Sequence, residues 1–125
     1  MLLREKDKQT LLHIFASADI PIEVWAYGSR VNGAAHEGSD LDLVIRSADL
    51  KPIPFDIYTE LNEKIKDSNI PILVELRDWA VLPESFHKSI KQQYELFFSS
   101  LHAILKDPPA KYKSGNNKGE PDTSA

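Results

Sequence analysis

The stretch that most limits what this chain can become runs from Val24 to Arg46 and reads VWAYGSRVNGAAHEGSDLDLVIR. An apolar run (Ile22, Val24, Trp25, Ala26, Tyr27) ends at Gly28-Ser29, and ten residues later a second apolar run carries Asp40 and Asp42. In a β-strand successive side chains point to opposite faces, so Asp40 and Asp42 are expected to share one face while Leu41 and Leu43 share the other. That puts two carboxylates roughly 6 to 7 Å apart along the strand. Their mutual repulsion is relieved by a cation between them, and hard oxygen donors are what Mg²⁺ takes. The pair reads as half of a metal cradle.

Gly28-Ser29 supplies the other half of the signal. A glycine at a strand end, followed by Ser and by a short segment able to turn helical (Arg30 to Asn32), leaves backbone N–H groups facing outward, where phosphate oxygens bind. Ser29 adds a hydroxyl and Arg30 a fork of donors. A phosphate site beside a metal site points to a nucleoside triphosphate.

The order Gly-Ser, ten residues, Asp-x-Asp, with Gly33 and Ser39 between, resembles the signature of the DNA polymerase beta nucleotidyltransferase superfamily. Within it, so short a chain resembles a minimal nucleotidyltransferase domain of the kind paired with a HEPN-type partner in toxin–antitoxin modules. The resemblance covers about residues 5 to 100. It implies an α/β (α+β) fold, a small mixed β-sheet flanked by helices. It also implies that Gly28, Ser29 and Ser39 bind the nucleotide, to which Arg30 is expected to add its fork of donors, and that a third metal-binding carboxylate lies on a strand beside the Asp-x-Asp strand, where this chain has Glu75. Asp40, Asp42 and Glu75 would then be catalytic and hold two Mg²⁺ ions, with ATP as substrate. Related minimal domains commonly carry Asp in place of Glu75. The extra methylene matters, because misplacing a reacting geometry by about 1 Å can cost on the order of 10²-fold in rate.

At 125 residues the expectation is one domain with a single core. No cysteine is present, which excludes disulfides and thiolate zinc sites and fits a cytoplasmic setting. The net charge of −4 argues against broad electrostatic binding to nucleic acid. No apolar run approaches a membrane span, and MLLREKDKQT places charges where a signal peptide has its apolar region, so the chain is expected to be soluble and not exported.

Along the chain, Leu11, Leu12, Phe15 and Ala16 recur at helical spacing within a first helix from Glu5 to Ala18. Trp25 and Tyr27 share a face of the first strand and read as a core pair. The second strand runs from Asp40 to Ile45. His36 and Glu37, between the strands, read as a solvated loop pair or as an additional ligand. After the Pro52 and Pro54 connection, Ile57, Leu61 and Ile65 define a helix from Phe55 to Lys66, a crossover to a third strand at Ile72–Asp78. On that strand Glu75 needs a compensating cation if buried, or else pairs with Arg77, which shares its face and would reach phosphate oxygens. Asp78 points the other way and reads as a turn or cap residue. Another helix opens at Pro83-Glu84-Ser85. Beyond it, Ile90, Tyr94, Phe97, Leu101 and Ile104 suit a continuing helix, whereas the resemblance implies a short strand near Glu95 to Phe98. From Asp107 the composition is that of a disordered tail, which gives a domain at 1–106 and a tail at 107–125.

The resulting reading is Mg²⁺-dependent transfer of AMP from ATP to an acceptor hydroxyl. The resemblance implies a tyrosine of a HEPN-domain toxin as acceptor, which would make this chain an antitoxin. No separate general base is evident. Two rivals remain: a binding module of decayed activity that neutralises its partner by docking, and a small-molecule modifier of the aminoglycoside-nucleotidyltransferase type.

Overall fold

The computed structural model describes residues 1–33 and 38–101. His36 and Glu37, and the tail expected from residue 107, lie outside the described residues.

Among the described residues four strands form one mixed sheet: β1 (Ile22–Tyr27), β2 (Leu41–Ser47), β3 (Val74–Asp78) and β4 (Tyr94–Ser99), in the spatial order β3-β2-β1-β4. β1 runs antiparallel to both β2 and β4, while β2 and β3 are parallel. Parallel neighbours need a crossover, and the helix α3 (Phe55–Lys66) provides it over the expected residues. It starts directly after Pro54, whose fixed φ suits a helix entry, and buries Leu61 and Ile65. The first helix, α1 (Glu5–Ala16), ends two residues earlier than expected, where the Ser17 hydroxyl turns back to the carbonyl of Ile14.

The strand alternation sorts side chains to two faces. Leu11 and Phe15 of α1 and Leu61 and Ile65 of α3 pack on Val24, Ala26, Leu41, Leu43, Ile45 and Leu76 to form the main core. The opposite face holds a smaller cluster of Trp25, Val44, Trp79 and Ile90, the last from α4 (Glu84–Gln92). Here the Arg46 guanidinium lies 4.1 Å from the Trp25 ring centroid and 4.6 Å from that of Trp79, and it pairs with Glu23 at 2.8 Å. Trp25 is therefore a core residue as expected, whereas Tyr27 is half-buried at the rim of this cluster.

The ambiguous segment after Ile90 resolves as helix and then strand. Gln93 is extended (φ −157°, ψ 104°), which stops α4, and β4 pairs with the outer side of β1, Tyr94 opposite Tyr27 and Phe98 opposite Val24. The aromatic spacing that suits a helix also suits an edge strand, and burial of Phe97 against Phe15 selects the strand. Asp78 behaves as the cap expected of it: it accepts from the Ala80 N–H at the start of a 3₁₀ turn (Trp79–Val81) and from the buried Ile53 N–H at 2.9 Å.

Candidate active site

The sheet register places Tyr27 beside Asp42 and Asp42 beside Glu75, so three adjacent strands contribute one row of polar side chains. Register partners point to the same side of a sheet. Asp42 and Glu75 thus lie on one side of the sheet, away from the main core that holds Leu41, Leu43 and Leu76.

Gly28 closes the row. Its φ of +81° with ψ of −157° is backbone that essentially only glycine adopts, and a Cβ there would stand 2.6 Å from Oδ2 of Asp42. Glycine is required twice over, by the turn and by the carboxylate that lies against it. The short helix α2 (Ser29–Asn32) follows, with Val31 and Asn32 N–H bonded to the Gly28 carbonyl. Ser29, half-buried, is its first residue, so the Gly-Ser turn and the Asp42 carboxylate belong to one site.

Asp40 is placed less centrally than strand alternation suggests. β2 begins at Leu41, whose N–H makes a ladder bond to the Leu73 carbonyl at 2.9 Å, and Asp40 lies one residue before it, exposed. Its charge still reaches Asp42. Burial pushes the Asp42 carboxyl above its ordinary pKa, Arg77 draws it back, and Glu75 and Asp40 both push it up.

Arg77 sits at the centre of this field. One terminal nitrogen lies 2.8 Å from Glu75 Oε1; the other lies 3.5 Å from Asp42 Oδ1 and 3.2 Å from the Tyr27 hydroxyl. As the side chains stand, no group of three His, Asp or Glu among the described residues is arranged to hold a metal ion. Asp42 and Glu75 nevertheless fit a hard cation by donor type and by their shared neighbour, since one positive group already faces both. Strand parity alone signalled Arg77. Tyr27 was the residue sequence reasoning missed, because an aromatic beside Trp25 reads as core.

The expectation that Arg30 reaches out as a phosphate fork is corrected. Its guanidinium is buried and donates to the Ser39 carbonyl at 2.9 and 2.7 Å and to the Leu2 carbonyl. It clamps the chain as it returns to Asp40 and ties the N-terminal segment to the motif. Ser39 contributes its backbone oxygen to that clamp.

A cleft of about 430 Å³ adjoins the row, lined by Tyr27, Gly28, Asn32, Phe86, Ser89 and Gln92. A larger hollow of about 570 Å³ lies at the N-terminal segment, but its ionic groups are engaged: Arg4 pairs with Asp7, and Arg30 holds backbone carbonyls.

Paired acids on a mixed sheet beside a Gly-Ser turn define the class, a nucleotidyltransferase-type domain. The family described as polymerase beta, nucleotidyltransferase matches residues 9–102, and the chain belongs to it. Over 71 residues the chain is 44% identical to the probable protein adenylyltransferase MntA of Haemophilus influenzae, a match that covers 57% of this chain and 60% of that protein. The matched region is thus less than two thirds of that relative's length. Among solved structures, a toxin–antitoxin with AMP-PNP is similar at a TM-score of 0.56 and 17% identity, covering 78% of this chain and 77% of that one. The toxin–antitoxin MntA-HepT is similar at a TM-score of 0.55 and 12% identity, covering 82% and 78%. These structural likenesses concern the fold.

Proposed function

We propose that the chain transfers AMP from ATP to a hydroxyl of a partner protein, a tyrosine of a HEPN-type toxin, and thereby acts in the cytoplasm as its antitoxin. The observation that carries this reading is the pairing of Asp42 with Glu75 directly beside the Gly28-Ser29 turn. The relative named a protein adenylyltransferase and the likeness to toxin–antitoxin structures, one with AMP-PNP, support it.

In this reading the acceptor oxygen bonds to the α-phosphorus, the bond from that phosphorus to the α–β bridging oxygen breaks, pyrophosphate leaves with its electron pair, and the acceptor's proton passes to solvent water. The Gly28-Ser29 turn holds the β/γ end of the triphosphate, and the missing side chain at Gly28 lets phosphate and the Asp42 carboxylate approach each other. The cleft beside Gly28 offers room for the rest of the nucleotide. Asp42 and Glu75, with Asp40 at the rim, would hold Mg²⁺, two ions in the reading drawn from the sequence. Bound there, Mg²⁺ supplies neutralisation of the leaving charge and a lower pKa for the attacking hydroxyl.

A second reading is a module that binds its partner without transferring AMP. The contact of Arg77 with both carboxylates favours it. To separate the two, the protein is incubated with α-labelled ATP, Mg²⁺ and its co-encoded neighbour, alongside Asp42→Asn. Metal-dependent label on the neighbour supports transfer to protein. A stable complex without label sinks it in favour of the module, and label on an added aminoglycoside in place of the neighbour redirects it to a small-molecule acceptor.

A further inference from the structure

Among the described residues Arg77 touches every member of the Tyr27–Asp42–Glu75 row, and nothing in the proposed chemistry yet uses it. It comes from β3, two residues beyond Glu75, so the strand that supplies one carboxylate also supplies the cation facing it. Two carboxylates side by side on neighbouring strands repel unless a positive charge stands between them. Here the guanidinium does so, at 2.8 Å from Glu75 and 3.5 Å from Asp42.

We propose that Arg77 is a positioning residue that holds the divalent cation's place: it keeps Asp42 and Glu75 aimed at one point, and the incoming metal displaces it. This rests on the reading of Asp42 and Glu75 as metal donors. Three features of the contact suit a place-holder. Asp42 is held by the longer of the two ion pairs, so the carboxylate lying against the Gly28 turn is the one more weakly held. The Arg77 side chain is 38% exposed, so it leaves the row toward water without repacking the core. And the Tyr27 hydroxyl, 3.2 Å away, is a neutral partner that adds no charge to be overcome. An aliphatic side chain at this position would leave the carboxylates free for the metal, and a divalent ion would no longer compete with a built-in cation.

The test is binding of Mn²⁺ alone to the full chain, read by electron paramagnetic resonance and calorimetry. Arg77→Met is expected to bind Mn²⁺ about tenfold tighter or more, the size expected when one nearby unit charge is removed from a half-solvated site. The gain should vanish in the Glu75→Gln/Arg77→Met double variant. Lys66→Met, which removes one exposed charge from α3, should bind as wild type does. A variant that binds Mn²⁺ no tighter than Lys66→Met overturns the place-holder while leaving the metal site standing. Absence of Mn²⁺ binding in every form overturns the metal site itself. Should Arg77→Met fold poorly, wild-type protein labelled with ¹⁵N at arginine gives an independent readout: titration with Mg²⁺ must shift the Arg77 Nε–H resonance, and an Arg77 signal that stays in place while metal binds overturns the proposal.

Discussion

The Cβ that Gly28 lacks would lie 2.6 Å from Oδ2 of Asp42, so the turn at Gly28 closes directly against the Asp42 carboxylate. The φ of +81° at Gly28 adds a second penalty for any side chain. Gly28→Ala is therefore expected to lose about 1–3 kcal/mol of stability from the backbone alone, measured by urea unfolding. Because Asp42 must also move, the variant should lose AMP transfer by more than its folded fraction explains.

Asp42 should show opposite effects on stability and activity. Burial raises its folded pKa above the unfolded value, so between those values the folded chain binds more protons than the unfolded one. Stability then falls as pH rises through that window, and the penalty persists at neutral pH. Asp42→Asn removes the buried charge. In chelator-treated buffer at pH 7 it should melt no lower than wild type, while transfer of label falls by about 10²-fold or more. A variant that is both active and destabilised would contradict this assignment.

Asp78 carries no chemistry in this scheme and is expected to matter through structure. Its carboxylate accepts from the Ile53 and Ala80 N–H groups, joining the end of β3 to the segment that enters α3. Asp78→Ala orphans the buried Ile53 donor, which costs about 1–3 kcal/mol. Chemical denaturation should show that loss, whereas Mn²⁺ affinity of the folded fraction should not change.

The acid limb of stability should depend on Asp7. Arg4 donates two hydrogen bonds to its carboxylate at 2.9 and 3.0 Å, and these hold its pKa below the ordinary value against the opposing effect of burial. A carboxylate with a depressed folded pKa stabilises the fold above its unfolded pKa, and that contribution is lost as pH falls through the folded value. Asp7→Asn should therefore be less stable than wild type at pH 7, with the gap closing in strong acid. Equal stabilities at pH 7 by urea unfolding would show that the ion pair contributes nothing.

The sequence alone located the crossover helix and the strand at the Asp-x-Asp pair. Helical spacing of Ile57, Leu61 and Ile65 set the crossover helix, and the two-residue period of a strand set Asp42 and Leu43 on opposite faces, because both depend only on backbone geometry. What lay beyond reach were relations between segments far apart in the chain. One sequence cannot tell whether aromatic residues near Phe97 extend a helix or pair with β1, since the answer is fixed by the open edge of β1 and the space beside Phe15. Nor does it reveal that Arg30 turns inward to the Leu2 and Ser39 carbonyls, or that Arg77 reaches across β2 to Tyr27. A guanidinium satisfies whichever oxygens the fold brings near it, and the fold that assembles them is a property of the whole sheet.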